Sequence, residues 1–422
     1  MKKVFVFFLS ILLLFLTACN TTPPVNSSSS ESSGDQPDNS LTRDEIVAHG
    51  SGNFINLPSR VMFSMSIGDG IRYNVYYSKV DGKVYPCCYD PLCDHLGGKC
   101  LAAPHVDMPM YPSYIVHFLN NRFYVVSETE GKIYSYNFDG TDVKIEYDSG
   151  YDREFLSSLS PISPWSLQTL SYGDYIYIYI DAKFTDDGKE HLLRFNIISK
   201  EMEDLTEKTG NYIQIRFIYN GEIYGTNRFD GTPTFQSIFL KSDIDLKNVT
   251  ELERDELETS LYFSGSLFFR RALGENNEQL GIQIHDIKTG QTTIIPKETL
   301  GMAEDATIEI ACVDENYVYY YNSKKIVIGY KELGSATVPI TINEGKLYRM
   351  NQDGTNPTCI FDNPAQSIDG SYCIVFDNTI IIKAQDLGIQ DGVTQIVNSG
   401  YYVGAIGEDG TIGELKLVEF VG

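Results

Sequence analysis

The chain has 422 residues, a formal net charge of −24 and 42% hydrophobic residues, with 29 Tyr and 22 Phe against a single Trp. That acidity disfavours nucleic acid and anionic surfaces as partners, and the wealth of aromatic and β-branched residues is the composition of strands rather than helices. The length exceeds one ordinary domain of about 100–200 residues, yet suits a single large repeat architecture.

The first element is a leader. Lys2 and Lys3 give it a positive start, Val4 to Phe15 is almost wholly apolar, and Leu16, Thr17 and Ala18 lead to Cys19. This is the build of a secretory signal peptide over residues 1–18, too short for a comfortable membrane span. The stretch Leu16 to Cys19 closely resembles the bacterial lipobox, which implies cleavage before Cys19 and a diacylglyceryl thioether on its sulfur. Acyl chains add about 0.8 kcal/mol per buried CH₂, so two or three of them hold a protein on a bilayer without a transmembrane helix. Residues 19–50 read as a tether, because Asn20 to Ser40 is rich in Ser, Thr, Pro, Asn and Gly and has almost nothing apolar to bury. The expected location is the extracytoplasmic face of the cell membrane, through the lipid anchor.

From residue 51 to 422 one phrase returns. Residues 121–126, 173–178, 220–225, 265–269, 315–320 and 377–382 each set a polar turn pair before an alternating aromatic or aliphatic strand, which is a hairpin signal. A second phrase follows most of them: residues 133–142 near-duplicate 347–356, with weaker copies starting at Val75, Leu192, Ile238 and Ile284. The pair reads as two central strands of one blade and their outer neighbour. With Tyr124, Tyr177, Tyr224, Phe268, Tyr319 and Ile381 as equivalent positions, successive copies lie 44 to 62 residues apart, and Arg60 to Met65 supplies a seventh copy. Such spacing fits blades of about 40–50 residues plus loop insertions. The fold class is all-β: a β-propeller of six to eight four-stranded blades, seven preferred, whose apolar faces are buried by radial stacking. Short helical turns are expected at Thr42 to Ala48 and Pro296 to Asp305.

Residues 347–356 with their preceding strand resemble the repeat of TolB-like and YWTD-like β-propellers in lipoproteins of Gram-positive anaerobes, a domain-of-unknown-function type. Residues 88–100 resemble a cysteine-rich insertion near the start of such proteins. The resemblance implies a fold and a location, and it implies no activity; the Tyr-Trp-Thr-Asp signature itself is missing.

The cysteine-rich loop at 87–100 has the most chemical character. Cys87, Cys88, Cys93, His95 and Cys100 fall within it, and three thiolates with an imidazole suit tetrahedral zinc. The spacing Cys-x4-Cys-x-His-x4-Cys is not a standard finger, and in an exported chain the same residues suit a disulfide knot. Disulfide, structural zinc and a reactive or haem-type role all stay open for Cys88, Cys93, His95 and Cys100, and no other cofactor is implied. Cys312, Cys359 and Cys373 lie in or beside strands and read as small core residues. Asp-Gly pairs at 81, 139, 187, 230, 353 and 409 read as hairpin turns, since none completes a calcium loop. Asp181, Asp186 and Asp187, and Asp243 with Asp245, read as turn residues, and Tyr175, Tyr177 and Tyr179 as packing residues.

No His-Glu-x-x-His, Gly-x-Ser-x-Gly or sialidase box occurs, so no catalytic residue is assigned. The favoured function is a non-catalytic, membrane-anchored binding or scaffold module for a protein, peptide or glycan. The alternatives are an extracytoplasmic metallo- or redox enzyme built on the Cys/His loop, and an accessory in envelope assembly or transport.

Overall fold

The computed structural model describes residues 46–48, 55–67, 71–88, 114–120, 122–127, 131–137, 141–150, 165–180, 190–228, 237–252, 262–276, 278–333, 336–390, 393–419 and 421. They belong to one compact unit spanning Asp38–Gly422. A short strand β1 (Ile46–Ala48) precedes blade 1, formed by β2 (Ile55–Asn56), β3 (Arg60–Ile67), β4 (Ile71–Ser78) and β5 (Val84–Pro86). Blade 2 holds β6 (Tyr114–Leu119), β7 (Arg122–Ser127), β8 (Lys132–Asn137) and β9 (Lys144–Asp148), and blade 3 holds β10 (Trp165–Tyr172), β11 (Tyr175–Ile180), β12 (His191–Asn196) and β13 (Met202–Asp204). A five-residue helix α1 (Leu205–Thr209) leads into blade 4, with β14 (Gln214–Tyr219), β15 (Glu222–Arg228), β16 (Ser237–Asp243) and β17 (Thr250–Leu252).

Blade 5 comprises β18 (Tyr262–Ser264), β19 (Leu267–Leu273), β20 (Gln279–Asp286) and β21 (Gln291–Pro296). Blade 6 comprises β22 (Ile308–Val313), β23 (Tyr317–Asn322), β26 (Lys346–Asn351) and β27 (Thr358–Asp362), interrupted by a separate hairpin of β24 (Ile326–Leu333) and β25 (Ala336–Ile342). Blade 7 comprises β28 (Gln366–Phe376), β29 (Thr379–Gln390), β30 (Val393–Ala405) and β31 (Lys416–Leu417). The protein is thus a seven-bladed, all-β propeller.

Local chemistry explains the repeat. The turns between first and second strands use Asn220-Gly221 (φ 50° and 76°) and Asp377-Asn378 (φ 44° and 57°), the paired positive φ that a tight I′ hairpin turn demands. The residues aligned in the sequence sit near the start of each second strand: Tyr124, Tyr177, Tyr224, Tyr319 and Ile381 are third and Phe268 is second, all of them buried. Seven apolar clusters fill the gaps between consecutive blades. The one between blades 7 and 1 joins Phe376, Ile381 and Tyr401 to Val61, Phe63 and Tyr77, which closes the ring. Among the described residues no strand is exchanged to close it, for every blade takes its four strands in sequence order, with only the β24–β25 hairpin intervening in blade 6. Instead, the chain after β31 runs beside β5: Val84 N donates to the Glu419 carbonyl (3.0 Å) and Val421 N to the Val84 carbonyl (2.9 Å).

Two local expectations change. Where a helical turn was expected at Thr42 to Ala48, residues 46–48 are strand, and the rest lie outside the described residues. Pro296 to Asp305 forms no regular helix, only turns, one of them closed by the helical bond from Leu300 N to the Pro296 carbonyl (3.1 Å), and Lys297 Nζ donates to the carbonyls of Glu304 (2.8 Å) and Ala306 (2.6 Å). The helix forms at Leu205–Thr209, where Asp204 caps the amide of Glu207 and Gly210 (φ 72°) terminates it.

Candidate binding face

Four antiparallel strands per blade put the first-to-second and third-to-fourth connections at one end of the ring. The second-to-third and blade-to-blade connections fall at the other. At the first end the chain turns tightly, in residues 173–174, 220–221, 265–266 and 377–378, and in the described Asp-Gly turns. Asp353 accepts from Thr355 N (2.9 Å) and Thr355 Oγ1 (2.6 Å), and Asp409 from Thr411 N (3.0 Å) and Thr411 Oγ1 (2.8 Å). These bonds hold both carboxyls below the usual carboxylate range. Gly82, Gly354 and Gly410 have φ of 72°, 83° and 79°, so the described Asp-Gly pairs in 79–83, 352–357 and 406–415 are turns. Asp139, Asp187 and Asp230 lie outside the described residues.

Toward the other end, consecutive strands are separated by longer stretches of sequence, 87–113, 149–164, 205–213, 253–261 and 297–307 between blades and 181–190, 229–236 and 323–345 within them, of which 89–113, 151–164, 181–189, 229–236 and 253–261 lie outside the described residues. Its most prominent described parts are two hairpins. The pair β24–β25 belongs to no blade, and β24 lies against β30. In blade 7, β28 stops pairing at Gln366↔Asp386, whereas β29 and β30 continue from Leu387↔Ile396 to Gln390↔Val393, so this hairpin projects past its blade. Between them the hairpins expose Tyr330 (68%), Ile389 (81%), Val397 (62%) and Val327 (51%). Exposed apolar side chains gathered on supported hairpins are what a partner surface needs, and scattered single ones are not.

Near the same end of blade 3, Tyr179 donates to Glu190 (2.6 Å), and His191 Nδ1 meets the Asp204 carboxylate, whose other oxygen caps α1. A carboxylate used for capping and a His–Asp pair together orient backbone, so this cluster is a joint between blade 3 and α1.

The chain also places a strand beside the axis of the ring. β1 pairs antiparallel with β14, the innermost strand of blade 4 (Ile46↔Tyr219, Val47↔Ile218, Ala48↔Phe217), and lies beside β10 and β18, the innermost strands of the flanking blades. A segment that precedes blade 1 in sequence therefore becomes a fifth strand on the axis side of blade 4. Its start, Ile46, is level with Tyr219, the last residue before the tight turn 220–221, so the chain meets the ring at the tight-turn end.

Of the sequence-derived site residues, Cys19, Cys93, His95 and Cys100 lie outside the described residues, as do Asp181, Asp186 and Asp187. Cys87 is buried between blades 1 and 2 with Met62, Phe123 and Val125, and Cys88 beside it is half-buried. Among the described residues no three His, Cys, Asp or Glu converge as a metal site. Asp245 pairs with Arg194 (2.7 Å) and Lys247 (2.9 Å), and Asp243 accepts from the amides of Asp245 and Lys247, so this carboxylate pair organises a turn. Tyr177 and Tyr179 are buried and Tyr175 lies beneath the Arg194 guanidinium, as packing residues do. Cys359 is exposed on β27, whereas Cys312 and Cys373 are buried together, a contact that the sequence reading missed. No helix among the described residues is long and apolar enough to cross a membrane.

No protein-family model matches the chain, and no curated protein matches it. Solved structures do. The chain is similar to TolB from Acinetobacter baumannii at 10% identity, covering 84% of this chain and 81% of that one, with a TM-score of 0.30. It is similar to the β-propeller domain of the Trilobed protease from Pyrococcus furiosus at 9% identity, covering 85% and 91%, with a TM-score of 0.42. It is also similar to YjhT at 8% identity, covering 72% and 97%, with a TM-score of 0.36.

Proposed function

We propose that this chain is a lipoprotein anchored through Cys19 to the extracytoplasmic face of the membrane, and that its propeller is a non-catalytic binding module for a protein, peptide or glycan. The observation that carries the reading is the one-sidedness of the ring. Two projecting hairpins with exposed Tyr330, Ile389 and Val397 rise at one end, whereas the described connections at the other are mostly short turns. A rigid scaffold that varies its loops on one face is the usual construction of a binding surface. The start of β1 at the tight-turn end supports attachment of the tether away from that surface.

The test places a photo-crosslinking residue at Tyr330 or Ile389, or at the exposed Lys288 or Glu408 of the tight-turn end, in the full-length chain on intact cells. Adducts formed from the first two positions and not the last two support the reading. Adducts from the tight-turn positions alone, or from none of the four, overturn it. Loss of membrane retention in Cys19→Ala tests the anchor separately.

A further inference from the structure

Cys312 lies on β22 and Cys373 on β28, the innermost strands of blades 6 and 7, and their sulfurs are 2.7 Å apart. Both are buried in the apolar cluster between the blades, with Tyr319, Ile382 and Tyr402 around them. Two irregularities put them there. The β22–β23 register shifts between Ile310 and Cys312, and the β28–β29 register shifts between Asp369 and Cys373, so each cysteine directly follows a bulge in its own strand. A bulge re-aims the side chains beyond it, and here both re-aimed side chains are thiols meeting across a blade boundary. Sulfurs in mere van der Waals contact stand well outside this separation, while a bond needs about 2.05 Å. Among the described residues no third His, Cys, Asp or Glu joins the pair to make a metal site.

We propose that Cys312 and Cys373 form a disulfide that staples blade 6 to blade 7. The two thiols give up two protons and two electrons as the S–S bond forms. The acceptor is a disulfide of the thiol-oxidising class found outside the cytoplasm, itself reduced to two thiols through a mixed disulfide. The supply of that oxidant rests on the extracytoplasmic reading above. The bond forms before blade 7 docks, since burial withholds both sulfurs from any oxidant afterwards and also pushes the Cys312 thiol up, suppressing its thiolate. The closed loop contains all of the β24–β25 hairpin and the exposed Cys359, the one other thiol within it.

The test refolds the reduced full-length chain with a mixture of oxidised and reduced glutathione, quenches it in acid, alkylates it and maps peptides. The expected result is a cross-linked 312–373 peptide with Cys359 alkylated, and a Tm about 5 °C above that of chain refolded in reductant. Cys312→Ala, Cys373→Ala and the double variant should each lose the same increment, since either one removes the bond. Alkylation of both Cys312 and Cys373 after oxidative refolding overturns the pairing. The same map on chain from exporting cells, with thiols trapped at lysis, tests the oxidant. A bond made on refolding but missing from that chain overturns the extracytoplasmic reading, and with it the staple in the cell, while leaving the geometry standing.

Discussion

The amide of Val84 donates to the carbonyl of Glu419 across 3.0 Å, joining the outer strand of the first blade to the chain that leaves the last. The carbonyl of Val84 accepts in turn from Val421, and Lys83 pairs with Glu419 at 2.9 Å. The closure therefore has two layers: an apolar interface between blades 7 and 1, and a backbone clasp at the rim. Removing residues 419–422 deletes two hydrogen bonds at a buried valine and should cost about 2 kcal/mol, read as a lower denaturant midpoint. Glu419→Gln, which leaves the backbone bonds and removes only an exposed charge pair, should cost under about 0.5 kcal/mol. Equal losses would show that the clasp is electrostatic and not a backbone clasp.

Arg194 on β12 ties blade 3 to blade 4. Its guanidinium bonds Glu203 (2.7 Å), Asp245 (2.7 Å) and the carbonyl of Ile244 (3.0 Å) while stacking on Tyr175. Arg194→Met keeps the length of the stem and strands these acceptors, which are partly solvated. The expected loss is about 2 kcal/mol. Arg194→Lys should recover under half of it, because an ammonium lacks the planar fork that reaches three acceptors. Urea unfolding of the two variants beside the parent chain checks the order.

The carboxylates of these joints set the acid limit. Lys247 and then Arg194 hold Asp245 below its ordinary range, Lys208 and then Arg194 do the same for Glu203, and the Thr355 and Thr411 bonds do so for Asp353 and Asp409. A carboxyl depressed in the folded state binds protons more readily when unfolded, so its contribution is present above the unfolded value and disappears as pH falls through the folded one. On the alkaline side, burial pushes the Tyr177 hydroxyl up to about 12, so its contribution is present below its ordinary value and is lost as pH rises through the folded value. Tm should be flat across neutral pH, fall below about pH 4 and fall again above about pH 10. In Asp353→Asn the acid fall should become shallower; an unchanged acid limb would show that this turn carboxylate contributes none of it.

Blade number was legible because each blade repeats a local signal: a turn pair, then a strand with a large apolar residue near its start, as at Tyr124, Tyr177 and Tyr319. Loop insertions were expected in general, and the structure places one, β24–β25, in the widest interval, from Tyr319 to Ile381. What stayed hidden depends on contacts distant in sequence. Cys312 and Cys373 each look like a core residue in its own strand, and only two bulges turn them toward each other. Helix α1 was missed because five residues carry no apolar period, although Asp204 and Gly210 were suitable caps at its ends. The three residues of β1 have no pattern to reveal a partner some 170 positions away.

That last contact makes the most discriminating prediction. If β1 is a strand added to a finished blade, blade 4 keeps its own four strands without it, because β14, β15, β16 and β17 pair with one another in one continuous antiparallel ladder. Deleting residues 46–48 should then leave the urea midpoint within about 1 kcal/mol of the parent chain. The free edge of β14 would face the channel, and amides of residues 214–219 that are slow to exchange should speed up by at least about tenfold, with those of β15 and β16 unchanged. Protection lost across all of blade 4 would mean that β1 completes the blade. Protection unchanged in β14 would mean that the pairing does not persist in solution, and the attachment of the tether at the tight-turn end would lose its support.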